Sequence, residues 1–247
     1  MERKIPVEGR EDFVAVEEPL EIRVDGRALA VTMRTPGHDE ELALGFLHGE
    51  GLIGEARVAG PTKDFAANVV EVEGPLLKDP GARSFYTTSS CGVCGKGALE
   101  QVAVDAPRLE DGPRLRRDVV ARLPEALREA QPGFATTGGL HATGLFTPDG
   151  DLLAVREDVG RHNAMDKVIG WALSEGQIPL TGYVLCVSGR LSFELVQKAA
   201  VAGAPVLVGV GAPTSLAVEL ARDRNLTLAG FARAGRVNVY AASERVR

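Results

Sequence analysis

The chain is short of sulfur, of aromatic rings and of long apolar runs, and each shortage removes a class of protein. Three cysteines in 247 residues are too few, and odd in number, for a small secreted fold stapled by disulfides. The opening stretch MERKIPVEGR holds no apolar core of a secretory signal. Together these predict a cytoplasmic protein with reduced thiols. No segment approaches the roughly 18 unbroken apolar residues of a membrane span; the longest runs are stretches such as PVLVGV, so no membrane partner is expected. Positive charge is also in deficit. With 28 Lys and Arg against 34 Asp and Glu the net charge is −6, which argues against an electrostatic hold on nucleic acid. Asn and Gln are scarce and Arg outnumbers Lys, a bias of growth temperature or genome composition that carries nothing functional.

What is present is an ordinary apolar fraction of 45%, enough for a packed core. The order of patterns predicts an α/β fold. Residues Leu20–Val24 and Ala28–Met33 alternate on either side of Asp25-Gly26, a two-residue hairpin signal. Acidic residues open an apolar-periodic stretch from Asp39 to Glu50, as suits a helix start. ANVVEVEG alternates as a strand, KDPGARSFYTTSSCG reads as a loop, and GALEQVAV is helical in pattern. DVVARLPEALREA predicts a short helix broken at its proline. Beyond it come a hairpin around Asp149-Gly150, a helix RHNAMDKVIGWALS stopped by Gly176, and a buried strand YVLCVSG. A helix ended by Gly203, a strand PVLVGV, a helix SLAVELARDRN capped by Thr214 or Ser215, and a strand TLAGFAR complete the series. Helices alternating with strands predict a layered sheet with helices on both faces. The expected division is an N-terminal β-rich portion, 1–115, and an α/β portion, 116–247, within one unit.

TTSSCGVCGKGALE places Cys91 and Cys94 three residues apart at the predicted start of a helix. Four chemistries compete for such a pair: half a zinc site, a dithiol redox couple, a structural disulfide, or a nucleophilic carrier thiol. A closed zinc site needs four ligands, and only Cys186, which sits in an apolar strand pattern, and four histidines remain. HDE at His38–Glu40 followed by SCGVC imitates a nucleobase deaminase signature, with Ser90 where that pattern has proline. A carrier thiol needs one accessible thiolate, which a helix N-terminus and Lys96 would both favour.

Six blocks in order, TPGHDEELALGFLHGEGLI, SSCGVCGK, TGGLHATGLF, EDVGRHNAMDKVIG, VSGRLSFELVQKAA and FARAGRVNVY, resemble the formate dehydrogenase accessory sulfurtransferase family, FdhD, from about Glu21 to Tyr240. The resemblance implies a cytidine deaminase-like fold without zinc or any other intrinsic metal. It implies a sulfurtransferase, working as a cytoplasmic homodimer, that takes sulfur from a cysteine desulfurase as a persulfide. The sulfur then passes to the bis-guanylyl molybdenum cofactor, the bound acceptor, before that cofactor enters formate dehydrogenase. Carried over by position, Cys91 is the persulfide-bearing residue and Cys94 its partner. The cofactor-binding stretch falls on Phe231, Ala232, Arg233, Ala234, Gly235 and Arg236. Arginine forks suit phosphate or a guanine edge, and Phe231 offers a stacking face; the alternative is a core ring with two solvated arginines.

Two further loops add candidates. DVGRHNAMDK gathers Arg161, His162, Asn163 and Asp166 at a strand-to-helix transition, where free N–H groups attract anions and Asp158 is placed to cap the helix. His162 and Asp166 share a face at i, i+4, as ligand contacts or as an ordinary surface pair. VSGRLSFE repeats the arrangement with Ser188, Gly189, Arg190 and Ser192, and TGGLHATG adds His141 and glycines against which a flat ligand could lie. Two other functions stay open: a zinc-dependent deaminase-like hydrolase, and a non-enzymatic chaperone of the molybdenum cofactor.

Overall fold

The computed structural model describes residues 1–54, 57–60, 68–78, 85–86, 106–110 and 112–247. Cys91, Cys94 and the helix expected over GALEQVAV lie outside those residues.

Two hairpins open the chain. Among the described residues β1 (Glu2–Val7) and β2 (Arg10–Ala15) pair with each other alone. β3 (Glu18–Val24) and β4 (Arg27–Arg34) are the hairpin expected around Asp25-Gly26. Asp25 and Gly26 have φ of 47° and 78°, the doubly left-handed turn whose twist matches the flanking strands. α1 (Asp39–Gly49) follows with Asp39, Glu40 and Glu41 in its first turn, where carboxylates complement the helix dipole. β5 (Arg57–Gly60), β6 (Val69–Glu73) and β7 (Phe85–Tyr86) complete a five-stranded sheet in the order β5-β6-β3-β4-β7. The short β7 lies within the stretch expected to be all loop. Leu20, Ile22 and Val24 alternate inward along β3 and bury against Leu42 and Leu47 of α1.

α2 (Arg117–Glu129) runs unbroken through Pro124, correcting the expected break. Val120, Leu123, Pro124 and Leu127 are all buried on it, and that apolar contact offsets the hydrogen bond that proline cannot make. A short α3 (Pro132–Thr137), not foreseen in the sequence, leads into β8 (His141–Phe146) and β9 (Leu152–Asp158). Then come α4 (Arg161–Ser174), β10 (Val184–Val187), α5 (Phe193–Val201), β11 (Val206–Gly209), α6 (Ser215–Asp223), β12 (Thr227–Arg233) and β13 (Arg236–Ala241). Thr214 is the N-cap of α6, its Oγ1 accepting from the Ala217 N–H at 3.3 Å.

The second sheet has the order β13-β12-β11-β10-β8-β9. β10, β11 and β12 run parallel and the other neighbours antiparallel, so the mixed α/β layering expected from the sequence is observed. Alternation divides its side chains between two cores. Leu185, Val187, Leu207 and Leu228 face α4, α5 and α6, while Val184, Cys186, Val206 and Ala229 face α2. Each fully buried Leu contributes about 1.5–3 kcal/mol over its exposed state. Cys186 is buried, and burial pushes its thiol pKa up, so it is an apolar packing residue and not a nucleophile. Among the described residues no helix is long and apolar enough to cross a membrane.

α1 joins the two sheets by crossing α4 at backbone distance. A Cβ on Gly45 would stand 1.8 Å from the Asp166 carbonyl oxygen, and one on Gly170 would stand 1.8 Å from that of Glu41. Only glycine admits this approach. Buried charge reinforces the joint. Lys167 Nζ lies 2.8 Å from Asp158 Oδ2 and donates to the Thr35 carbonyl at 2.8 Å, and Thr35 N–H donates to the same carboxylate at 3.1 Å.

Candidate active site

The antiparallel β8 and the parallel β10 bring their chain connections to one edge of the six-stranded sheet. β9 ends at Asp158 and β10 at Val187, and α4 and α5 begin just beyond them. Among the described residues neither helix has a side chain capping its first turn, and the positive dipole end of each favours an anion. Three side chains line that edge. Arg161 is half-buried, Arg190 exposed, and His141 half-buried. A Cβ on Gly189 would stand 3.5 Å from His141 Nδ1 and 3.8 Å from Arg161 Cδ, so the glycine lets the three groups converge. Burial, then Arg161 and Arg190, lower the His141 pKa against the weaker pull of Asp158. The imidazole is therefore neutral at pH 7, a polar hinge between two cations.

Beside this cradle lies a cleft of about 620 Å³. Pro124, Phe134, Leu140, Val210 and Ala232 form its apolar walls, and Glu125, Arg128, Glu129, Gln131 and Arg233 place charge and amide groups at it. His141 belongs to both compartments, and Ser188 lines the cleft beside it. Ser188 Oγ accepts from the Ala142 N–H at 2.8 Å, and Gly138 and Gly139 leave one wall without side chains. Glu157 accepts from Gly133 N–H and Phe134 N–H at 2.8 Å each, which seats α3 and hence the Phe134 ring. Arg128 stacks on that ring, 3.9 Å from its centroid.

The residues singled out in the sequence divide between site and scaffold. FARAGR is the β12–β13 hairpin. Ala234 and Gly235 turn it with φ of 50° and 72°, and Arg233 pairs with Arg236 across it. Arg233 and Ala232 reach the cleft; Phe231 is 40% exposed with a left-handed φ of 52°, so it is not the core ring of the alternative, and Arg236 is exposed on the hairpin. Arg161 and Arg190 meet at the cradle. His162 is buried and links the starts of α4 and α5, its Nε2 3.3 Å from Ser192 Oγ. Asn163 is buried, donating to the Met33 carbonyl and to Asp158 Oδ1, and so ties α4 to β4. Asp158 is not the N-cap, a position held by Gly160; its Oδ1 accepts from the Gly160 N–H at 2.8 Å.

Asp166 does not form a surface pair with His162. It is buried 2.8 Å from Lys198, with Glu50 3.9 Å from the same ammonium. Burial raises its pKa to about 6 in spite of Lys198. Gln131, Phe134 and Arg128 were not foreseen; the one signal for them was PGF following a helix, a proline at a helix start. Among the described residues no three His, Cys, Asp or Glu side chains stand together as a metal set, and Cys91 and Cys94 lie outside those residues.

Residues 15–247 match the FdhD/NarQ family. The chain is 52% identical to the sulfur carrier protein FdhD of Streptomyces avermitilis over 97% of its own length and 91% of that protein's. It is 48% identical to the protein of the same name from Saccharolobus solfataricus, over 95% of this chain and 91% of the relative. The crystal structure of a formate dehydrogenase accessory protein from Desulfotalea psychrophila superposes with a TM-score of 0.79 at 27% identity, covering 100% of this chain and 98% of that one. With the family matched over nearly every residue and the fold matched over all of them, the chain belongs to the FdhD/NarQ family.

Proposed function

We propose that this chain is a sulfur carrier for formate dehydrogenase, receiving sulfur on Cys91 and passing it to the bis-guanylyl molybdenum cofactor, which it holds as a substrate. The relatives' names support the carrier role. The observation that supports the cofactor is the joining of an anion cradle to an apolar cleft through His141, the division of chemistry that a ring system carrying phosphates requires. Arg161, Arg190 and the positive dipole ends of α4 and α5 hold phosphate. The cleft takes a flat ring, and Arg233 stands at its wall.

The loading step is a thiolate exchange. Cys91 thiolate attacks the terminal sulfur of a persulfide on a cysteine desulfurase; a new S–S bond forms at Cys91, the donor's S–S bond breaks, and the donor cysteine leaves as thiolate, with no net redox change. Cys94 assists release to the acceptor. In this scheme the portion before residue 116 carries the sulfur and the portion after it carries the acceptor, in a cytoplasmic homodimer that hands the finished cofactor to formate dehydrogenase.

Incubation with a desulfurase and cysteine, followed by mass spectrometry, is expected to add one sulfur at Cys91 and none in Cys91→Ala. Full loading of that variant would remove Cys91 from the role. Maturation of formate dehydrogenase that survives Cys91→Ala but not Arg161→Ala with Arg190→Ala would indicate a cofactor chaperone instead.

A further inference from the structure

Ser192 is the N-cap of α5, yet its side chain does not cap the helix. A serine in that place normally accepts from an N–H of the first turn. Here the hydroxyl meets another helix, its Oγ 3.3 Å from Nε2 of His162 in the first turn of α4. The same nitrogen is 3.9 Å from Glu194 Oε2, and the imidazole is 4% exposed. One turn deeper the two helices meet again. Asp166 lies 2.8 Å from Lys198 Nζ, and that ammonium is 3.9 Å from Glu50, at the end of α1, and 5.5 Å from the centroid of the Phe46 ring.

Positions 162 and 166 share one face of α4, and 194 and 198 share one face of α5, each at i, i+4. These contacts are therefore two rungs between the same pair of helix faces. The lower rung is an ion pair sealed in the core and held from a third side by α1. The upper rung stands at the cradle, where Arg161 adjoins His162 and Arg190 precedes Ser192 by two residues. An apolar contact of the same size would also pack these faces, but burial of that kind has no direction. A hydrogen bond holds its heavy atoms within a narrow range of separation. We infer that His162 is a positioning residue: by holding Ser192 it sets the distance between Arg161 and Arg190, and so the span between two anionic groups that the cradle holds at once. The inference rests on the reading of the cradle as a phosphate site and adds the residue that fixes its width.

Calorimetric titration of the purified full chain with pyrophosphate and with orthophosphate tests it, since the first anion spans two positions and the second occupies one. Wild-type protein is expected to bind pyrophosphate the more tightly, by about tenfold. His162→Leu keeps the side-chain volume and removes the hydrogen bond. It is expected to weaken pyrophosphate by about five- to tenfold, and orthophosphate by less than about twofold. His162→Gln places an amide where Nε2 stood, able to donate to the serine hydroxyl or accept from it, and is expected to restore the preference for pyrophosphate. Ser192→Ala removes no helix cap; it is expected to repeat the His162→Leu result, and it tests the same contact from α5 should His162→Leu fail to fold. Equal binding of the two anions by wild type, a preference retained in His162→Leu or Ser192→Ala, or equal loss in His162→Leu and His162→Gln, overturns the inference and leaves the cradle standing. If wild type binds neither anion, both fall.

Discussion

Ala234 shows how one backbone torsion can separate stability from binding. Its φ of 50° is left-handed, a region that costs an L-residue about 1–2 kcal/mol. Ala234→Gly relieves that strain while giving the unfolded chain more freedom. A net gain of about 0.5–1 kcal/mol is expected, read as a melting temperature higher by about 1–4 °C. His141 yields a prediction of opposite kind. Its pKa lies below 6.5 in the free protein because burial, Arg161 and Arg190 disfavour the cation, with Asp158 alone opposing them. A bound phosphate favours the cation and raises the imidazole pKa, so binding draws in a proton, and affinity for GDP rises as pH falls from the bound-state pKa to the lower one of the free protein. His141→Gln retains only the slope due to the phosphate's own titration; an identical slope in both proteins would remove His141 from the cradle.

At the scale of elements, the α1–α4 crossing is the most sensitive joint. Gly45→Ala drives a methyl group into the Asp166 carbonyl, and the helices must separate across a packed core. A loss of about 3 kcal/mol or more is expected in urea unfolding. Thr214→Ala removes only the N-cap of α6, for about 1 kcal/mol. The elements themselves were largely legible. Asp25-Gly26, Asp149-Gly150 and the apolar periods of α1, α4, α5 and α6 are local signals, and local signals survive into the fold. The first hairpin was missed although Glu8-Gly9 makes the same left-handed turn, because its strands are exposed and lack apolar alternation. Pro124 misled for the opposite reason: tertiary burial outweighed a local rule. In the site, charged residues at strand ends were visible as motifs. Which of them face a ligand was not, since Asn163, Asp166 and Lys167 owe their burial to β4, α5 and the Thr35 segment, remote in sequence.

For the whole molecule the buried Asp158–Lys167 pair carries a consequence for cooperativity. Both partners bond to Thr35, between the first sheet and α1, while belonging to the second sheet and its helix. Lys167→Met leaves Asp158 charged and fully buried, at a cost of about 3–5 kcal/mol, a large part of a typical stability of about 5–15 kcal/mol. Calorimetry of the wild type is expected to show one transition, and the variant to melt lower, with Asp158→Asn added to Lys167→Met recovering part of the loss. Where α1 meets α4 no side chain stands between the two backbones. The spacing of α1 and α4 is therefore set by the thickness of a peptide group, and any side chain added at Gly45 or Gly170 can only widen it. The two sheets that these helices join are thereby held in one fixed alignment.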